Sequence, residues 1–76
     1  MANRVFNWTY DEVTTVLKDN GFKLNHIRGS HHYYVGYVDG RMHQVSVARH
    51  GNKAFKPRTL KSMIAQSGLQ KSAWGL

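Results

Sequence analysis

The chain has 76 residues, enough for one small domain and too few for a large enclosed active site or a deep cofactor pocket. Eleven Lys and Arg residues against four Asp and Glu residues give a net charge of +7, and no acidic residue follows Asp39. The absence of cysteine excludes disulfides and thiolate metal sites. Because there is neither a long apolar run nor a signal peptide, we expect a cytoplasmic protein without membrane contact, whose basic surface binds a polyanion or an acidic partner.

The first predicted element is a helix that begins after Thr9. Thr9 and Glu12 have the spacing of a capping box, in which each side chain binds a free amide of the first turn. An apolar stripe follows, and the helix is predicted to end at Gly21. Phe22 should then fold back onto Leu17.

Three strands are predicted next. Alternating apolar and polar residues indicate a strand over residues 22–28. Residues 31–38 are rich in aromatic and β-branched side chains, the Asp39-Gly40 pair is typical of a tight hairpin, and residues 42–48 form the third strand.

A second helix is predicted after a basic loop. Pro57 suits the first helical position, and Gly68 suits the end of the helix, with Leu69 folding back onto Ile64. Residues 70–76 carry no clear pattern.

This order predicts an α+β fold with a three-stranded antiparallel sheet and both helices on one face. A turn at Asp39-Gly40 would pair Val38 with Arg41 and sort the strand residues into two faces. Val45 and Val47 favour their own face as the one beneath the helices. That face would also hold His32, Tyr34, Gly36, Val38, Arg41 and His43. The open face would hold His31, Tyr33, Val35, Tyr37, Met42, Gln44, Ser46 and Ala48.

The adjacent histidines, His31 and His32, follow Gly29 and Ser30 and are candidates for proton transfer, because histidine titrates near neutral pH. On the residues alone, one packed and one exposed histidine without chemistry is the more common arrangement. A metal site is disfavoured because the five histidines lack ligand spacing. Ser30 lacks an acidic partner that would make it a nucleophile.

Several residues are predicted to contact RNA. The cations would bind phosphates, Gly29 would allow the backbone to approach closely, and an exposed tyrosine would stack on a base. The predicted set is Lys23, Arg28, Gly29, Ser30, Tyr33, Arg49, His50, Lys53, Lys56 and Arg58.

The chain resembles the HicA toxin family over residues 10–69. The resemblance rests on several short motifs in a matching order. They are Asn20-Gly21-Phe22-Lys23-Leu24, Arg28-Gly29-Ser30-His31-His32, Asp39-Gly40-Arg41, Val45, Val47, Arg49-His50, Lys56-Pro57, Thr59-Leu60 and Gln66-Ser67-Gly68-Leu69. The family pattern differs at Ala48, at Tyr37-Val38 and at Arg58. The resemblance implies a fold like that of double-stranded-RNA-binding domains, with one domain over residues 1–76, a core at about 9–69, an N-terminal extension at 1–8 and a tail at 70–76.

The resemblance also implies an activity. HicA proteins are messenger-RNA endoribonucleases that arrest growth, and their essential histidine maps to His31, or to His32 in relatives where it lies one residue later. A HicB-type antitoxin would bind the toxin and cover its site, and operator DNA would be contacted only through that antitoxin. No cofactor or metal is expected. A non-catalytic RNA-binding module and a chain that only binds its partner are the alternatives.

Overall fold

The structure is a computed structural model that describes residues 7–51 and 53–76. The elements in chain order are α1 (Tyr10–Asp19), β1 (Lys23–Arg28), β2 (His31–Val38), β3 (Arg41–Ala48), α2 (Pro57–Ser67) and a short 3₁₀ turn (Lys71–Trp74). This order confirms the predicted α-β-β-β-α arrangement. Among the described residues, no helix has the length and apolarity needed to cross a membrane.

Helix α1 has the ends that its sequence predicts. The Thr9 amide donates to Oε1 of Glu12 over 3.0 Å, and the Glu12 amide lies 3.4 Å from Oγ1 of Thr9. At the other end the Phe22 amide donates to the Leu17 carbonyl over 2.9 Å. The capping box and the fold-back of Phe22 are therefore confirmed.

A side chain caps the C-terminal end of helix α2. The Ser67 hydroxyl donates to the Ile64 carbonyl over 2.7 Å and accepts the Leu69 amide over 3.1 Å. Ser67 therefore bridges two backbone groups that a standard glycine ending would join directly. The buried Ser67 hydroxyl is satisfied by this bridge, which explains a polar residue at a fully buried position.

The sheet has the order β1-β2-β3 with both pairs antiparallel. Val38 pairs with Arg41 across the Asp39-Gly40 turn, as predicted. Tyr34 and Val45, which lie opposite each other, are buried. The predicted assignment of β2 and β3 side chains to two faces is confirmed.

Both helices cover the same face of the sheet. Val13 and Leu17 of α1 and Leu60 of α2 are fully buried in one core with Val45 and Val47 of β3. All six residues of β1 are exposed, so this strand lies at an uncovered edge.

At Gly36 the sheet is packed closely against Phe22, which follows helix α1. A Cβ atom at this position would lie 2.6 Å from Cγ of Phe22, which is buried. Only glycine leaves room for the ring.

The C-terminal residues pack onto the start of the chain. Trp74 is buried, and its ring meets that of Trp8 edge-on with centroids 5.8 Å apart. Trp8 in turn accepts the Phe55 amide at its carbonyl over 2.7 Å. Ala73 and Leu76 also pack against the core, so residues 70–76 are ordered by contacts with distant parts of the chain that leave no periodic pattern in the sequence.

Candidate functional site

The two adjacent histidines lie on opposite faces of β2. His31 is exposed on the open face, where Nδ1 lies 3.4 Å from Oγ of Ser46. His32 is half-buried on the helix-covered face, opposite Val47 of β3 and Ile27 of β1. The alternation of side chains along a strand gives the pair two different environments.

His32 is held by a tyrosine of α1. The Tyr10 hydroxyl lies 2.9 Å from Nδ1 of His32, and the two rings meet edge-on with centroids 5.2 Å apart. The same hydroxyl lies 2.7 Å from the Tyr34 hydroxyl. Tyr10 and Tyr34 are both buried, so the hydrogen bond between their hydroxyls is shielded from water, and the one with His32 is partly shielded.

The other ring nitrogen of His32, Nε2, has no hydrogen-bond partner among the described residues. Nε2 is also not fully buried. Within residues 7–51 and 53–76, Nε1 of Trp74 is the one side-chain nitrogen or oxygen that is both buried and without a hydrogen-bond partner. One nitrogen of His32 is therefore fixed from inside the protein while the other is available to a ligand.

Tyr34 stays neutral at physiological pH. Burial raises the pKa of its phenol to about 12, and the hydrogen bond with Tyr10 acts in the same direction. The side chains of Thr14 and Arg49 act in the opposite direction with smaller effect. A neutral phenol can both donate and accept a hydrogen bond, which suits Tyr34 to a hydrogen-bonded chain.

Arg49 brings a positive charge to the same place. Its guanidinium carbon lies 4.7 Å from the centroid of the Tyr10 ring, a cation–π contact. Its backbone amide donates to the Ser30 carbonyl over 2.7 Å, which ties the end of β3 to the turn before β2. Tyr10, His32, Tyr34 and Arg49 are called the Tyr10–His32 cluster below.

Gly29 and Ser30 form the turn that joins β1 to β2. Gly29 has a φ of +57°, and a Cβ atom at this position would meet no atom within 4 Å. The backbone conformation, and not crowding inside the protein, therefore explains why a glycine occupies this position. The open space above it remains available to a ligand.

A second group of predicted residues lies on the open face. Tyr33 stacks on the ring of His26, with centroids 4.4 Å apart and an interplanar angle of 12°. Lys23 and Arg28 lie on β1 opposite Val35 and His31 respectively. These aromatic and basic groups share a face with His31 and lie across the sheet from His32.

A third group lines an open groove of about 440 Å³ beside the loop after β3. His50, Lys53 and Lys56 contribute its polar groups, and Phe55 and Thr59 are among its other walls. Arg58 is exposed in the first turn of α2 and does not line the groove. Most of the predicted RNA contacts thus fall into three places, which are the Tyr10–His32 cluster, the open face and this groove. Gly29 and Ser30 lie in the β1–β2 turn, and Arg58 lies apart from all of these.

The histidines and carboxylates do not come together. Within residues 7–51 and 53–76, no group of three or more such side chains could hold a metal ion. The residues brought together around His32 are instead phenols and a guanidinium.

Sequence reasoning did not identify Tyr10 and His26 as site residues. Tyr10 lies three residues before Val13 on the buried stripe of α1, which is a signal for burial. Its contact with His32 spans 22 residues, so only the packing of α1 on the sheet reveals it. The stacking of His26 on Tyr33 depends on a register shift in β1 between Leu24 and His26, which the sequence does not signal.

Comparison with known protein families finds a match over most of the chain. The family described as HicA toxin of bacterial toxin-antitoxin matches residues 10–69. This range includes both helices and all three strands and ends before the C-terminal turn. Comparisons with curated proteins and with solved structures found no match.

Proposed function

The chain belongs to the HicA toxin family and is therefore a toxin of a toxin–antitoxin system, and we propose that it acts as a metal-independent endoribonuclease that cleaves messenger RNA. The reaction would be proton transfer by a histidine at the start of β2. The observation that carries this proposal is the geometry of His32, whose Nδ1 lies 2.9 Å from the Tyr10 hydroxyl while Nε2 has no hydrogen-bond partner among the described residues. A ring held at one nitrogen with the other nitrogen unpartnered suits proton transfer.

The proposed reaction needs no reactant other than RNA. Nε2 of the histidine takes the proton of a ribose 2′-hydroxyl as its oxygen forms a bond to the adjacent phosphorus. The bond from phosphorus to the 5′-oxygen of the next nucleotide breaks, and that oxygen receives the proton from the imidazolium. The products are a 2′,3′-cyclic phosphate and a 5′-hydroxyl end, and DNA, which lacks the 2′-hydroxyl, is not a substrate.

The motif and the geometry favour different members of the histidine pair. The family motif assigns the role to His31, which follows Gly29-Ser30 directly. The geometry favours His32, because His31 is exposed and its nearest polar contact is the 3.4 Å approach of Ser46. We therefore assign the proton transfer to His32 and keep His31 as the alternative that the experiment distinguishes.

The other predicted residues would bind the substrate. Arg49 lies beside Tyr10 and would contact the phosphate near the reacting bond. Lys53, His50 and Lys56 in the groove would hold phosphates further along the strand. The open space above Gly29 would accept the RNA backbone.

An RNA-binding module without catalysis is the second candidate. The observation that favours it is the stack of His26 and Tyr33 between Lys23 and Arg28 on the open face. Stacked rings beside cations are typical of surfaces that bind unpaired bases.

Family membership implies an antitoxin partner. We propose that this partner is of the HicB type and that it covers the Tyr10–His32 cluster. Basic residues around the cluster, such as Arg49, favour an acidic contact surface on the antitoxin.

A cleavage assay on single-stranded RNA in the presence of EDTA tests the proposed activity. We expect wild type and His31→Ala to cleave and His32→Ala to lose about 10²–10⁴-fold in rate, the usual contribution of one proton-transfer group. Circular dichroism shows whether each variant is folded. Loss confined to His31→Ala would reverse the assignment, and RNA binding without cleavage by wild type would favour the binding module.

A further inference from the structure

The stacked rings of His26 and Tyr33 form a pair that the core does not need. The two residues lie opposite each other on β1 and β2, with ring centroids 4.4 Å apart and an interplanar angle of 12°. His26 is exposed, and neither residue belongs to the core beneath the helices. Tyr33 covers one side of the His26 ring, and the other side has no ring or cation partner among the described residues. The stack therefore ends in a flat ring that faces solvent.

A bulge in β1 produces this stack. The register shifts between Leu24 and His26, so that Asn25 has no partner on β2. In a regular strand Asn25 would lie opposite Tyr33, and His26 would lie opposite His32 on the helix-covered face. Oδ1 of Asn25 also lies 2.7 Å from Nδ1 of His26, which limits rotation of the ring. Bulges commonly re-aim a side chain beside a functional site, and here the re-aimed side chain is His26.

The charge of the surrounding surface favours a polyanion. Lys23 and Arg28 lie at the two ends of β1 on the same face as the stack, opposite Val35 and His31. None of the four acidic residues of the chain lies on a strand, since three are on α1 and the fourth, Asp39, is in the β2–β3 turn. No carboxylate on the strands therefore offsets the two cations.

We propose that His26 is a base-stacking residue: one unpaired base of an RNA strand packs on the outer side of its ring, and Lys23 and Arg28 contact the neighbouring phosphates. Tyr33 supports the ring from the other side and does not touch the base. This inference rests on the RNA substrate of the proposed function and adds a subsite to it. A base that is paired in a duplex cannot extend the stack, so the subsite selects single strands.

The β1–β2 turn connects this subsite with the Tyr10–His32 cluster. Arg28 precedes the turn on the open face, whereas His32 follows it on the helix-covered face. The space above Gly29 is open, because a Cβ atom there would meet no atom within 4 Å. An RNA strand that crosses the turn at Gly29 therefore places one nucleotide at the cluster and another at His26.

Binding of single-stranded DNA tests the subsite separately from cleavage. DNA offers bases and phosphates but lacks the 2′-hydroxyl, so the proposed reaction does not consume it. With a labelled strand of about ten nucleotides, we expect His26→Ala to weaken binding about 5- to 100-fold, the usual loss when a stacked base loses its aromatic partner. His26→Tyr keeps a ring and should bind as tightly as wild type. Equal affinity of wild type and His26→Ala, or weak binding by His26→Tyr, would overturn the proposal.

Tyr37→Ala is the matched control, because Tyr37 is 70% exposed on the same face, at the hairpin end of β2. It should leave the affinity for the single strand unchanged. A duplex of the same sequence is the second control, because its bases are paired, and His26→Ala should bind it as wild type does. A loss of the same size in Tyr37→Ala, or on the duplex, would show that no base stacks on His26.

NMR of the aromatic ring protons locates the bound strand directly. Stacking of a base should shift the ring protons of His26 upfield when the DNA is added to the wild-type chain. This measurement needs no substitution, so it decides the proposal even if a variant does not fold. Unchanged His26 signals in the presence of bound DNA would place the bases elsewhere on the surface.

Cleavage of RNA shows whether the subsite serves the proposed reaction. We expect His26→Ala to raise KM with little change in kcat, because stacking at this distance from the reacting bond binds substrate and transition state equally. If wild type cleaves no RNA but binds DNA at His26, the proposed ribonuclease fails and the subsite stands. If wild type cleaves RNA and His26→Ala binds DNA as wild type does, the subsite alone fails.

Discussion

A glycine at a nucleic-acid site can adopt a positive φ angle and can leave space for the ligand. At Gly29 these two roles can be tested separately. Its φ of +57° lies in the left-handed region, where asparagine is the best-tolerated alternative among residues with side chains. A Cβ atom would be free of contacts with the protein. Stability and substrate access can therefore be tested by different substitutions at one position.

We predict that Gly29→Asn remains folded but cleaves RNA poorly, because the new side chain fills the space above the turn. Gly29→Val should lose stability as well, since a β-branched residue is strained at positive φ, by about 1–2 kcal/mol. Thermal unfolding and the cleavage assay measure the two effects. Full activity of folded Gly29→Asn would show that RNA does not approach this turn.

The histidine pair shows which features of a site residue can be predicted from the sequence and which depend on packing. Alternation along β2, together with the register of the Asp39-Gly40 turn and the valines of β3, places His31 on the open face and His32 beneath the helices, and both placements are confirmed. The partner of His32 was not predictable, because Tyr10 reaches it through the packing of α1 and not through local sequence. The assignment of a catalytic role to either histidine stays a prediction.

At the scale of elements, β3 is an edge strand that α2 protects. The outward-facing amide of Ser46 donates to Oε1 of Gln66 over 2.9 Å, and Nε2 of Gln66 is held by the Ser62 hydroxyl at 3.1 Å. An unpaired edge amide would otherwise offer a site for another strand. Gln66 thus closes part of one edge of the sheet.

We predict that Gln66→Ala exposes the Ser46 amide to faster hydrogen exchange and lowers the free energy of unfolding by about 0.5–1.5 kcal/mol, the usual contribution of one hydrogen bond. Gln44→Ala is the matched control, because Gln44 is an exposed residue of the same strand. Amide exchange measured by NMR distinguishes the two variants. Equal exchange at Ser46 in wild type and Gln66→Ala would refute the protective role.

The elements differed in how much local sequence specified them. The capping box at Thr9 and the hairpin at Asp39-Gly40 each depend on residues within a few positions, and both were predictable. The C-terminal turn was not, because Trp74 is ordered by Trp8 at the other end of the chain. Contacts between distant segments leave no periodic pattern to recognise.

At the scale of the whole molecule, charge is distributed unevenly along the chain and over the fold. Three of the four acids lie on α1 and the fourth lies in the β2–β3 turn, whereas the segment after Ala48 contains six basic residues and no acid. Lys53 and Lys56 of that segment line the groove beside the loop. A polyanion would therefore approach from the side of this loop.

We predict that RNA affinity falls steeply with salt and that Lys53→Gln and Lys56→Gln each reduce the slope of log K against log salt by about 0.7, the value for one phosphate contact on a single strand. Lys18→Gln, on the last turn of α1, is the control and should leave the slope unchanged. Binding titrations over a range of salt concentrations measure the slopes. A slope that is the same in all three variants would place the RNA elsewhere on the surface.

The adjacent histidines also give the site a tolerance to changes in chain length. A bulge that shifts only the first residues of β2 by one position would move His32 to the open face and bring His31 beneath α1, towards Tyr10. An imidazole would then still occupy the Tyr10 side of the sheet. A shift in this direction therefore keeps an imidazole beside Tyr10, whereas a chain with a histidine only at position 32 would lose it.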